Sequence, residues 1–224
     1  MTTVQEIRGQ FKNESLFDHA LTHRSWVNEH KGERTSNERL EFLGDAILEY
    51  VVSREIYDQF SDKEEGYLTA LRANLVNTVA LSALAKKLDL GRFLYLSKGE
   101  EESGGRSNSS LLADTVEAII GAIFIDRGLI DAEKFIIENL LPDIDKTASE
   151  PLKDPKSRLQ EFVQSQGYQA PKYKVTEESG PDHDKRFVID VIVNDTAWGR
   201  GEGKSKGSAE QSAASHALQN HRLQ

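Results

Sequence analysis

The sequence predicts an all-α N-terminal domain followed by a small α+β domain in the order αβββα. Three observations carry this. All five prolines fall at or after position 142, so no proline breaks a helix before that point. Apolar residues recur at helical spacing through residues 38 to 59, 65 to 88, 110 to 126 and 131 to 141. Beyond Pro155 the pattern becomes short alternating runs flanked by two helical stretches.

The first periodic segment opens Asn37-Glu38-Arg39-Leu40-Glu41-Phe42-Leu43-Gly44-Asp45-Ala46. At about 100° per residue from Glu38, Glu41 falls near 300°, Asp45 near 340° and Glu49 near 20°, whereas Leu40, Leu43, Ile47 and Val51 lie between roughly 140° and 220°. Acid occupies one side of this helix and core the other. Phe42, near 40°, shares the acidic side and projects away from the core, as an interface residue or a local contact. Residues 65 to 88 read as one further periodic stretch. Lys98 to Asn108 is polar and glycine-bearing and reads as a loop, with Ser109 or Ser110 placed to cap the next helix. That helix carries Asp114 and Glu117 at i and i+3, away from Leu112, Val116, Ile119, Ile120 and Ile123. Residues 131 to 141 form another amphipathic stretch.

From Pro142 to Pro155 the chain is polar and proline-bearing, which suits a linker at 143–154 between domains at 1–142 and 155–224. In the second domain a helix at 157 to 166 precedes strand-like runs at 172 to 176, 186 to 193 and 196 to 202. The alanine-rich stretch from Ser208 to His221 closes it as a helix.

Both acidic helices carry a glycine beside their carboxylates, Gly44 on the first and Gly121 on the second. Each costs its helix about 0.8 to 1 kcal/mol relative to alanine, and close helix approach is the simplest reason to accept that. The expectation is that the helices cross there and gather Glu41, Asp45, Asp114 and Glu117. Two ionised carboxylates about 4 Å apart repel by roughly 4 kcal/mol at an effective dielectric near 20, so such a cluster needs protons or divalent cations. Oxygen-only ligands specify Mg²⁺ or Mn²⁺, the ions on which hydrolytic phosphodiester chemistry is built. The competing reading is two solvated helix faces.

Composition sets the limits of these readings. With 224 residues, 38% of them hydrophobic and 29% charged, the chain has the make-up of a soluble globular protein. It has no run of 18 uninterrupted apolar residues, and its start lacks the layout of a signal peptide, so no membrane partner and a cytoplasmic location are expected. Zero cysteines exclude disulfides, thiolate metal sites and cysteine nucleophiles. Residues 1 to 150 hold 17 Lys and Arg against 27 Asp and Glu, net −10, whereas residues 151 to 224 hold 11 against 10, net +1. An acidic first domain is therefore compatible with a local basic patch in the second.

That patch is legible. In Gly201-Glu202-Gly203-Lys204-Ser205-Lys206-Gly207-Ser208, lysines stand just before a helix N-terminus, where backbone N–H groups and the macrodipole favour phosphate. On the module's first helix, Leu159, Phe162 and Val163 form the buried side, while Ser157, Gln160 and Glu161 share another face. Their polar groups suit 2′-hydroxyls and base edges in the wide minor groove of A-form RNA.

Over essentially its whole length the chain resembles bacterial ribonuclease III. Asn37 to Ala46 reads as that family's signature. Leu21-Thr22-His23-Arg24-Ser25, and Glu65-Gly66 with Leu71-Arg72-Ala73, look like its flanking motifs. Ala113-Asp114-Thr115-Val116-Glu117-Ala118 resembles its second acidic motif, and residues 156 to 222 look like a double-stranded-RNA-binding domain. The resemblance implies a dimerising endonuclease domain whose Glu41, Asp114 and Glu117 ligate Mg²⁺, with Mn²⁺ as a substitute. Asp45 would complete the site and, with Glu117, count as catalytic. Glu38 and Glu65 would line the cleft near RNA and the partner subunit, and Phe42 would insert into that partner. Ser157, Gln160 and Glu161 match first-helix contacts, His183 a loop that enters a minor groove, and Lys204, Ser205 and Lys206 a phosphate clamp. The implied reaction leaves 5′-phosphate and 3′-hydroxyl ends with two-nucleotide 3′ overhangs, in processing of ribosomal, messenger and transfer RNA precursors, with no organic cofactor.

One position departs from the family pattern: Gly207 stands where a second consecutive lysine is usual, which removes one phosphate contact. Glu49 shares the acidic face but has no assigned part and reads as solvated. The main alternative is a non-cleaving double-stranded-RNA-binding protein, whose hallmark would be lost carboxylates; none is lost.

Overall fold

A computed structural model describes residues 3–149, 152, 154–181 and 184–221. It resolves into two compact units, Met1–Leu152 and Lys153–Gln224.

The first unit is helical, as its proline-free sequence predicts. Short helices α1 (Val4–Arg8), α2 (Glu14–Ala20) and α3 (Arg24–Glu29) lead into the long α4 (Glu38–Gln59). Then follow α5 (Glu65–Leu75), α6 (Thr78–Lys87), α7 (Lys98–Glu102), α8 (Ser109–Arg127), α9 (Leu129–Leu140) and α10 (Ile144–Ser149). The centre is the α4–α8 pair. Leu40, Ile47, Leu48, Val51 and Val52 of α4 are buried with Leu112, Val116, Ile119 and Ile120 of α8. A fully buried side chain of this size contributes roughly 1.5 to 3 kcal/mol, so this seam is the main local source of stability.

Several boundaries depart from expectation for identifiable reasons. The stretch 65 to 88 is two helices, because the Asn77 side chain accepts from Ala80 N–H and starts α6 afresh. At 11 and 10 residues, neither approaches the roughly 20 that a bilayer crossing needs. Asn108, not Ser109 or Ser110, caps α8 by accepting from Ser110 and Leu111 N–H. The expected loop at 98 to 108 contains α7 and a single 3₁₀ turn. Much of the expected linker is also structured. Ile144 is buried, Tyr67 Oη donates to Ala148 O at 3.0 Å, and Asn74 Nδ2 donates to Leu152 O at 2.6 Å. These contacts fasten α10 to the first unit and carry that unit past residue 142.

The second unit runs α11 (Pro155–Ser165), β1 (Lys172–Ser179), β2 (Arg186–Val193), β3 (Thr196–Gly203) and α12 (Lys206–Asn220). The strands pair antiparallel in the order β1-β2-β3. Asn194 and Asp195 both take positive φ in the two-residue turn joining β2 to β3, the conformation that matches strand twist. Ile189, Val191 and Val193 alternate inward from β2 and meet Leu159 and Val163 of α11 and Ala213 and Ala217 of α12.

Candidate functional site

The α4–α8 crossing is built from backbone contact. A Cβ added at Gly44 would overlap the Glu117 carbonyl, and one at Gly121 would overlap the Leu40 carbonyl. The two helices therefore approach closer than any side chain would allow. This is the close approach expected from the glycines, and it draws the two acidic faces together.

Carboxylate oxygens of Glu41, Asp114 and Glu117 all lie within 4.8 Å of one another, and the three residues are half-buried. Asp45 sits on the exposed flank, outside this tight triple. Its charge still acts on the group: burial, then Asp45, Asp114, Glu41 and Glu49, push Glu117 up to about 7. Glu41 is also raised, first by burial and then by Asp114, Glu38 and Asp45. Asp114 is raised by burial, against the opposing influence of nearby His23. Three acids held this way disfavour full ionisation, and an oxygen-only donor set of this kind suits a hard divalent cation.

The other candidates take separate places. Glu38 lines a cavity of about 330 Å³ with Glu41, Asp114, His23 and Arg24. It also accepts from Ser36 Oγ at 2.8 Å and pairs with Arg24 at 3.3 Å. Glu65 opens α5 and accepts from Thr69 Oγ1 at 2.9 Å, and it does not line that cavity. Phe42 is 80% exposed, as its position on the helix wheel predicts. Glu49 is not simply solvated: Arg72 Nε lies 2.8 Å from its carboxylate, and Arg72 also donates to Ser53 Oγ. An ion pair across α4 and α5 lies beyond what a single-helix wheel can show.

Leu21-Thr22-His23-Arg24-Ser25 matches a flanking family motif, and spacing assigns it no chemistry. The structure makes it a strap beside the acids. Tyr95 N–H donates to Leu21 O, His23 N–H donates to Tyr95 O, and the Asn37 N–H donates to Thr22 O. Buried Asn37 adds a side-chain bond to Ala20 O at 3.1 Å, which fixes the entry into α4.

In the second unit Ser157, Gln160 and Glu161 are all exposed on α11. Asp154 caps that helix and accepts from Ser157 Oγ at 2.7 Å. Ser205 is the N-cap of α12, with Lys204 just outside and Lys206 at the first helical position, both exposed. The helix thus begins slightly earlier than the alanine run suggests. A Cβ at Gly207 would meet nothing within 4 Å. His183 lies outside the described residues.

Comparison with known proteins agrees with this geometry. Residues 13–144 match the family described as Ribonuclease-III-like, and residues 155–221 match the double-stranded RNA binding motif. The chain is 44% identical over 216 residues to Ribonuclease 3 of Natranaerobius thermophilus, covering 96% of this chain and 94% of that one. It is 45% identical over 215 residues to Ribonuclease 3 of Caldanaerobacter subterraneus subsp. tengcongensis, covering 96% and 94%. Among solved structures, the nuclease domain of ribonuclease III from Campylobacter jejuni aligns with a TM-score of 0.56 at 37% identity, covering 67% of this chain and 99% of that one. A second structure of that domain, described for flexibility in a region involved in dimer formation, aligns at 0.55 and 41%, covering 61% and 95%. The chain belongs to the ribonuclease III family and is an endoribonuclease acting on double-stranded RNA.

Proposed function

We propose that the chain hydrolyses phosphodiester bonds of double-stranded RNA in a Mg²⁺-dependent reaction that leaves 5′-phosphate and 3′-hydroxyl ends. The observation that carries this reading is the triple of half-buried carboxylates within 4.8 Å, on a chain that also bears an RNA-binding module. Glu41, Asp114 and Glu117 would hold the cation, Mg²⁺ or Mn²⁺, with Asp45 completing the site from its exposed flank. When bound, such a cation makes a nucleophile of a water ligand and offsets charge on phosphate oxygens. Asp45 and Glu117 count as the catalytic carboxylates: Glu117, pushed up to about 7 without a cation, gives up its proton to take one. Glu38 lines the cleft, and Glu65, outside that cavity, would lie near RNA and the partner subunit, as the family resemblance implies.

The second unit holds the duplex by shape. Ser157, Gln160 and Glu161 meet one minor groove, His183 meets the next, and Lys204, Ser205 and Lys206 clamp the phosphates between. Phe42 inserts into a second copy, so that two sites cut opposite strands and leave two-nucleotide 3′ overhangs. An exposed aromatic beside the acids supports that pairing. Processing of ribosomal, messenger and transfer RNA precursors in the cytoplasm follows from the family resemblance.

Incubating an end-labelled RNA duplex with the chain in Mg²⁺ and in EDTA tests the reading. Mg²⁺-dependent cutting to 5′-phosphorylated products with short 3′ overhangs is the expected outcome. A duplex retained in a gel but never cut would return the reading to a non-cleaving RNA-binding protein. Sedimentation of a single-chain species at micromolar concentration would overturn the dimer.

A further inference from the structure

We propose that His23 is a substrate-contacting residue whose Nε2–H donates to a backbone phosphate oxygen of the RNA beside the bond that is cut. This rests on the proposed hydrolysis and extends it to a residue outside the carboxylate group.

The ring is anchored on one edge only. His23 caps α3: the Ser25 N–H donates to Nδ1 at 3.3 Å, and Ser25 Oγ lies 2.8 Å from the same atom. Ser25 Oγ itself accepts from Ser97 N–H at 3.0 Å, which leaves its own proton free to point at Nδ1. Both serine donors converge on Nδ1, so Nδ1 is the acceptor and the N–H of the ring is on Nε2. The His23 backbone is fixed as well, through its N–H to Tyr95 O.

His23 lines the 330 Å³ cavity that Glu41 and Asp114 also line. Among the described residues, no hydrogen bond is made to Nε2. The result is a held donor with an unspent proton, at a cavity whose other walls supply carboxylates and only one cationic side chain, Arg24, already paired to Glu38. An RNA backbone brought to those carboxylates presents phosphate oxygens to the same cavity. A ring N–H there adds a hydrogen bond to a phosphate oxygen that the carboxylates cannot supply. Since the separate RNA-binding module supplies affinity for the duplex, losing this donor weakens alignment at the cut more than retention of the RNA.

Two amide substitutions in the full chain separate the edges of the ring. His23→Asn puts a short amide near the Nδ1 position and keeps a good helix cap; His23→Gln reaches toward the Nε2 position. The measurements are kcat and KM for duplex cleavage in Mg²⁺, gel retention of the duplex, and Tm. The expected result for His23→Asn is near-native Tm and retention, with kcat reduced about tenfold or more, the scale of one hydrogen bond to a charged acceptor. His23→Gln is expected to recover much of that kcat. Native kcat in His23→Asn overturns the proposal. So does a matched fall in kcat and Tm in both variants, which would make the ring a cap alone. A wild-type chain that retains duplex without cutting it overturns both this proposal and the hydrolytic reading.

Discussion

Glu117 concentrates the electrostatics of the site, because burial and four neighbouring carboxylates all oppose its charge. A carboxylate raised this way stabilises the fold most below its unfolded pKa, about 4.3, and that contribution is lost as pH rises through about 7. Metal-free protein should therefore lose stability across that window, and a saturating divalent cation should flatten the loss. Cation affinity should climb with pH and level above about 7, with most of one proton released near pH 6.5. Calorimetry in two buffers of different ionisation enthalpy reads this directly; binding without proton release would place the cation elsewhere. Gly207 supports a second prediction. A side chain there meets open space, so Gly207→Lys should tighten duplex binding and steepen the log-log salt slope by somewhat under one unit. An unchanged slope would remove this position from the phosphate clamp. At this scale spacing placed the acids on one helix face and Phe42 away from the core, whereas the roles of these residues and of the lysines came from the family resemblance. Arg72 on Glu49 and His23 beside Asp114 were not legible, since both relations join segments that the chain keeps far apart.

At the scale of elements, the crossing of α4 and α8 decides whether the acids meet. Gly44→Ala puts a methyl group against the Glu117 carbonyl, backbone that cannot rotate away. Relief requires the helices to part, which moves Glu41 and Asp45 from Asp114 and Glu117. The expected cost is about 1 to 3 kcal/mol of stability together with weakened Mn²⁺ binding. Gly99→Ala on α7, where a Cβ meets nothing within 4 Å, serves as the control and should leave both unchanged. Native Mn²⁺ affinity in Gly44→Ala would show that close approach is not what assembles the site. The helix wheels of both acidic segments predicted this crossing, because glycine beside a carboxylate is costly in a lone helix. The break at Val76-Asn77 escaped notice because both halves keep an apolar period. The helix at 144 to 149 was hidden by its polar text, since what holds it is tertiary: Tyr67 of α5 donates to Ala148 O and Ile144 is buried.

For the whole molecule, the two units divide the charge as they divide the work. The acidic surplus lies in the unit that gathers carboxylates, while the near-neutral unit carries exposed lysines at the start of α12. On the proposed function a polyanionic substrate meets those acids, which is workable only if a cation screens them. One substitution isolates that requirement. Glu117→Gln keeps the size of the side chain and removes its charge. Duplex cleavage in Mg²⁺ by the full chain, wild type against Glu117→Gln, with gel retention measured in parallel, is the most direct measurement. Loss of cleavage by several orders of magnitude with duplex retention unchanged is the predicted result; cleavage by Glu117→Gln at the wild-type rate would contradict it.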